Sequence, residues 1–262
     1  MKYELTTNTK TFNGIILYQI KALEDLGIVE NGSLGGWIEK IENLSQGGEA
    51  WVSGNAQVSG NAQVSGNAWV SGNAWVSGNA WVFGKATVSG NAQISETAEV
   101  SGNARVSGNA WVSGNAWVSE NARVSGNAWV SGNARVNQLI SLSSGLTNFD
   151  CSQNLFGTIR NSLNLMPVNG ELLFYKRVKS DLSSEFDSSF YYKIGEEVVV
   201  EDFDPDTSIS CGKGIHGSHA NYYPLEKNKV ILALSAKIED IICCQEGKIR
   251  VKKAKVLGIC DV

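Results

Sequence analysis

The sequence predicts a mainly β protein: a triangular parallel solenoid with an N-terminal β-hairpin cap before it and a small α+β domain after it. Three observations predict this. An aliphatic residue recurs every six positions from Val52 to Val136, and the residue four places after it is alanine each time from Ala56 to Ala134. Two alternating segments flank Asn13-Gly14 near the start. From Glu171 onward the repeat is gone, and the composition becomes that of an ordinary mixed domain.

The N-terminal run YELTTNTKTFNGIILYQIKAL places Asn-Gly between strand-like halves, the strongest short-range hairpin signal. The segment that follows leads into the first coil, with Leu34, Trp37, Ile38 and Leu44 expected to close the solenoid end. Such a cap is needed because an open end leaves strand edges and core unpaired.

In the repeat itself, six residues at about 100° each rotate through about 600°, which returns to no helical face, and six is too long for the alternation of one strand. A coil of three short strands with tight turns uses about 18 residues. Valine and alanine then point inward and stack on their equivalents one coil away. Serine, glycine and asparagine occupy the corners, where Gly and Asn tolerate positive φ. Roughly four to five coils at ~4.8 Å each give a prism about 20–25 Å tall.

The residue before each inward valine points outward. Eighteen-residue columns then read Trp51, Trp69, Thr87, Arg105, Arg123; Gln57, Trp75, Gln93, Trp111, Trp129; and Gln63, Trp81, Glu99, Trp117, Arg135. No face carries a continuous aromatic ladder of the kind expected for ice or glycan binding. Outward tryptophans on three faces instead fit subunit packing, so Trp69, Trp75, Trp81, Trp111, Trp117 and Trp129 are the oligomer-interface candidates, the alternative being exposed indoles flattened over neighbouring strands.

The V-S-G-N-A-x hexads resemble the hexapeptide-repeat left-handed parallel β-helix. That resemblance implies a homotrimer with parallel axes. Most enzymes of this fold are acyl- or nucleotidyltransferases, and the acetyltransferases use a histidine between coils as general base. No histidine precedes His216, so acyl transfer by the repeats is excluded. The lead-in SLGGWIEKIENLSQ further resembles a group of bacteriophage and prophage repeat proteins, which implies phage origin.

The boundaries expected are a cap over 1–50, the solenoid over 51–140, a terminal cap or linker over 141–170 with a helix near Thr158–Leu165, and an α+β domain over 171–262. In that last domain ELLFYKRV, SFYYKIGEEVVVE and KVILALSAKI read as strands, and KIRVKKAKVLGICDV as a final strand pair. Both histidines lie there.

The segment CGKGIHGSHANYY resembles a phage-associated C-terminal domain carrying C-G-x-G-I-H and, more distantly, the ADP-ribosyltransferases of the poly(ADP-ribose) polymerase type. The resemblance implies His216 stacking on a nicotinamide, Ser218 with Tyr222 or Tyr223 walling the pocket, and Lys176 or Arg177 making a first contact to NAD. A catalytic glutamate would have to be Glu246, which no motif supports. The alternative reading gives the glycines to turns and makes His216 a hydrogen-bonded residue of a small core. Lys213, in the same loop, is a further ligand-binding candidate. Cys211, His216 and His219 would make a metal site from three ligands within nine residues on one glycine-rich loop, and no metal is expected. Lys248, Arg250, Lys252 and Lys255 read as the solvated face of an edge strand, with Lys248 and Arg250 able to meet a phosphate-containing ligand beside His216.

Composition narrows the classes further. At 262 residues with a net charge of −4, the chain has no strong pull toward nucleic acid or anionic membrane. The start lacks a signal-peptide apolar run and no segment is apolar for about 18 residues, so a cytoplasmic protein, in the host cell if phage-encoded, is expected. Five cysteines without a C-x-x-C pair read as reduced thiols. The expected function is non-enzymatic: a β-helix trimer presenting a C-terminal domain that binds a host protein or a small nucleotide, NAD included, in counter-defence, with no resident cofactor. An ADP-ribosyltransferase-like enzyme centred on His216 and Glu246, and a structural virion component, are the alternatives.

Overall fold

The computed structural model describes residues 1–137, 140–148, 150–151, 153–207, 209, 211–224 and 226–260. The chain divides into two compact units, Met1–Asn154 and Leu155–Val262.

The first unit opens on β1 (Tyr3–Phe12) and β2 (Ile15–Ala22), paired antiparallel through Phe12 and Ile15. Asn13 and Gly14 both have positive φ, 51° and 79°, as a hairpin turn that follows the strand twist requires. Strand β3 (Leu34–Ile38) pairs with β2 on one side and runs parallel to the first solenoid strands on the other, Trp37 opposite Gln57 and Ile38 opposite Val58. Leu44 bridges to Val64 in the same sense. The cap thus continues the solenoid register, with Ile38 and Leu44 buried while Leu34 points outward, 55% exposed.

Two-residue strands β4 to β20 follow, from Trp51–Val52 to Leu146–Thr147. They build three parallel sheets, and the one running from Trp51–Val52 to Ser141–Leu142 has six strands. Six levels exceed the four to five expected, because the register continues past Val136: Arg123 faces Ser141 and Trp129 faces Leu146. The outward columns pair as the 18-residue spacing predicts, Trp69 with Thr87, Gln93 with Trp111 and Glu99 with Trp117, but Trp51, expected at the surface, is covered by the cap against Tyr3 and 1% exposed. Every inward valine, the one isoleucine and every alanine from Ala50 to Val136 is buried to 1% or less.

Backbone bonds run from coil to coil, as from Gln57 N to Ala74 O at 2.9 Å. Corner asparagines stack the same way. Asn55, Asn73, Asn91, Asn109 and Asn127 form a ladder in which each Nδ2 donates to the next Oδ1 at 3.0–3.3 Å. The open lower end is satisfied by buried polar side chains: Lys2 Nζ donates to Ala50 O at 2.8 Å and Asn43 Nδ2 to Ala62 O at 2.8 Å, while the Tyr3 hydroxyl reaches the carbonyls of Ile41 and Leu44.

The second unit begins with α1 (Leu155–Leu163), whose Ile159 and Leu163 join the core of that unit. A four-stranded antiparallel sheet has the order β21 (Glu171–Lys179), β24 (Lys229–Lys237), β27 (Lys253–Ile259), β22 (Glu197–Val199), and a three-stranded one the order β23 (Ile215–Gly217), β26 (Lys248–Val251), β25 (Ile241–Gln245). The final basic stretch is therefore not a strand pair. β26 and β27 belong to different sheets, the chain turning at Lys252, whose amine pairs with Asp240 at 3.4 Å. Nor is the first half an edge: β26 is central in its sheet, and Arg250 is buried, 1% exposed.

Candidate functional site

Strand β21 alternates Leu172, Phe174, Lys176 and Val178 inward, so a lysine occupies a core position in an otherwise apolar row. Lys176 is 8% exposed. Its Nζ donates to His216 O at 3.2 Å and lies 5.5 Å from the Tyr192 ring centroid. Burial lowers its pKa to about 8, with Glu185 opposing and Lys248 reinforcing the shift. A lysine in a core register is driven this way because desolvation disfavours the charged form. Burial also pushes the hydroxyls of Tyr192 and Tyr223 above the usual tyrosine range, each adding to the environment of its neighbours. Lys176, Tyr192, Tyr223, Glu185 and Lys248 thus share one neighbourhood.

Arg177, next along the strand, faces the other way into an ion-pair network. Its Nε meets Glu185 at 3.1 Å, its Nη1 meets Glu226 and Pro224 O, and Lys229 joins Glu185 at 2.6 Å. Opposition to the desolvation of Glu185 comes from Lys229 and Arg177, which hold its carboxyl below the usual range.

The glycine-rich motif is shaped by its neighbours. His216 lies opposite Arg250 and Gly217 opposite Ile249 in the β23–β26 pairing. A Cβ at Gly212 would collide with the Arg250 guanidinium, and one at Gly217 with the Phe174 ring. The glycines therefore let the backbone pass a buried arginine and a core aromatic. Arg250 Nη2 donates to Asp206 O, while Nε and Nη1 have no hydrogen-bond partner. Burial raises the thiol pKa of Cys243, across the ladder from Arg250, against the pull of that guanidinium.

The remaining candidates fall into place around these. Ser218 is fully buried, exchanging backbone hydrogen bonds of 2.8 Å with Tyr175 and donating its hydroxyl to Gly247 O at 2.6 Å. Tyr222, half-exposed, meets His219 and Tyr223 edge-on at 6.0 and 5.0 Å. Lys213 is at the surface, paired with Asp202. Glu246 sits in the turn between β25 and β26 with φ 49°. The structure brings Lys176, the His216 backbone, Tyr223 and Lys248 together; it directs Arg177 into an adjoining ion-pair network that shares Glu185, and encloses Arg250 beneath the motif loop. Glu185 lies in a segment without periodicity, and Tyr192 in SFYYKIGEEVVVE, which reads as strand although only Glu197–Val199 forms one, the preceding residues making turns and a single bridge from Tyr191 to Ser183. The lysine in the Leu172-Phe174-Lys176-Val178 row was the legible signal. Among the described residues no group of three His, Cys, Asp or Glu side chains is disposed to hold a metal ion, and no helix is long and apolar enough to cross a membrane.

On the solenoid, Trp81, Trp111, Trp117 and Trp129 are 41–47% exposed, whereas Trp69 and Trp75 are half-buried. Trp75 is covered edge-on by Phe12 of the hairpin at 5.1 Å. Several indoles lean onto the preceding coil: Trp75 donates to Ser59, Trp111 to Ser95 and Trp117 to Ser101 at 3.2–3.3 Å. Trp111 and Trp129 stack in parallel, 5.0 Å apart.

The fold defines a parallel β-solenoid repeat protein with an appended antiparallel domain. A family model described as the YdcK β-solenoid repeat matches residues 56–72, 62–78, 98–114 and 116–132, all in the solenoid, to which these repeats are therefore similar. Among curated proteins, none matches the chain.

Proposed function

We propose that the protein is a non-enzymatic binding protein whose solenoid serves as a rigid, self-associating stem and whose C-terminal unit binds an anionic ligand, a nucleotide or an acidic segment of a host protein. The observation that carries this reading is Lys176. Its buried amine donates to a carbonyl, none of the described carboxylates lies within 4 Å of it, the Glu185 charge that reaches it is already paired with Arg177 and Lys229, and Lys248 adds a second positive charge nearby. A buried cation without a paired anion is costly, and a ligand phosphate or carboxylate would relieve it. Tyr223, half-buried beside the core residue Tyr192, supplies aromatic surface of the kind a nucleobase stacks on. The resemblance of the cap and of the C-G-x-G-I-H segment to phage proteins points to a role against a host factor or host nucleotide signal.

Calorimetry with NAD, ADP-ribose and cyclic dinucleotides tests the reading. One of them is expected to bind, with affinity reduced at least tenfold in Lys176→Met and unchanged in Lys213→Ala, a surface substitution outside the neighbourhood. Equal binding by the wild type and Lys176→Met, or no binding to any of these anions, would remove the site.

A further inference from the structure

We propose that one corner of the solenoid, formed by Ser101, Trp117, Ser119, Glu120, Arg135 and Asn137, binds a ring of a neutral oligosaccharide. A concavity of about 320 Å³ opens there, spanning successive coils, which is at the small end of the range of ligand clefts, about 300–1,000 Å³.

Its chemistry is specific. Trp117 is anchored through Nε1 to Ser101 Oγ at 3.3 Å and remains 41% exposed, so the indole is held in place yet accessible. The guanidinium of Arg135 lies 5.6 Å from its ring centroid. Asn137 Oδ1 is shielded from solvent and accepts no hydrogen bond. A buried acceptor left unused is costly, and a small turn of the Asn137 amide into the concavity it lines brings it to a ligand hydroxyl.

Glu120 supplies the second line of argument. At this corner position every hexad from Gly54 to Gly132 carries glycine except those of Glu96 and Glu120. The corner imposes positive φ, 57° at Glu120, a conformation that favours glycine. The chain thus accepts strain to set a carboxylate at the edge of a concavity, and strain of this kind gathers where a side chain is used.

The charges select the ligand class. Glu120 and Arg135 bring one of each sign, so an anion would meet the carboxylate and a cation the guanidinium. A neutral polyol uses both: its hydroxyls donate to Glu120 and Asn137 Oδ1 and accept from Arg135, while the C–H face of its ring lies on the indole. The site is a single corner, distinct from a face-wide aromatic ladder, which the alternation of Trp, Gln, Arg, Glu and Thr up the faces does not form.

Calorimetry with maltohexaose, cellohexaose and chitohexaose on the intact protein, with three variants, tests this. At least one oligosaccharide is expected to bind. Trp117→Ala and Glu120→Gly should each weaken it about tenfold or more, and Glu120→Gly should at the same time raise Tm by relieving the corner. Glu96→Gly relieves the same strain outside the concavity, so it should raise Tm comparably and leave binding unchanged. No binding to any of the three sugars, or affinities unaltered in both Trp117→Ala and Glu120→Gly, overturns the proposal.

Discussion

At the scale of single residues, Lys176 shows how a core position can hold a charge on conditional terms. Its pKa is about 8 in the folded protein against 10.5 when exposed. Below pH 8 both states are protonated and the folded state bears the full burial penalty. Between pH 8 and 10.5 the unfolded chain binds more protons, so stability rises with pH. Near pH 10 the buried Tyr192 and Tyr223 hydroxyls begin to act in the opposite direction, since the unfolded tyrosines ionise first. Lys2 carries a similar shift in the solenoid unit, so the residue-specific effect is read as a difference between variants. Lys176→Met is expected to stabilise the C-terminal unit at pH 7 by on the order of 1–3 kcal/mol and to flatten the rise between pH 8 and 10, as measured by urea denaturation at both pH values. A destabilised variant, or an unchanged slope, would mean that the amine has a counter-charge in the folded protein.

At the scale of elements, the repeat and the hairpin were legible because their signals are local: a valine every six residues, and Asn-Gly between alternating runs. The strands of the C-terminal unit were partly legible. β21 and β24 fall where their apolar alternation placed them, but the stretch from Lys248 onward reads as a strand pair, whereas its strands β26 and β27 lie in two sheets. Alternation says which residues share a face and not which strand lies alongside. The same limit made Arg250 look solvated, because a basic residue on an edge strand and one on a central strand have the same local sequence. Its burial depends on Gly212, more than thirty residues away in sequence. The motif glycines make a matching prediction. Gly217→Ala drives a methyl into Phe174 and should cost about 2–3 kcal/mol. At Gly258, where nothing lies within 4 Å of a Cβ, alanine should stay within about 0.5 kcal/mol of the wild type or stabilise slightly. Thermal denaturation of the two variants separates them, and equal effects would discount the close approach.

At the scale of the whole molecule, the solenoid presents apolar surface that the N-terminal hairpin covers in part, Phe12 lying over Trp75 and Tyr3 meeting Trp51 edge-on. Higher up, the Trp111–Trp129 stack continues to exposed Leu146 in the same column. Apolar columns of this kind are the usual material of subunit contacts, and trimer formation is the outcome expected from the hexapeptide-repeat resemblance. Multi-angle light scattering should report three copies, and Trp111→Lys together with Trp129→Lys should return a monomer with an intact solenoid signal by circular dichroism. A wild-type monomer would end the trimer reading, and with it any gain in avidity from three C-terminal units.

The sequence by itself determined the coil length, the inward valine and alanine stack, the outward columns and the hairpin turn, because each follows from contacts between residues at a constant spacing. Only the tertiary structure decided that Lys176 sits beside Tyr192, that Arg250 runs beneath a glycine loop, and that Glu120 and Asn137 close a concavity beside the Trp117–Arg135 column. These neighbours come from segments that no period relates, or from departures within the repeat, and chain folding alone brings them into contact.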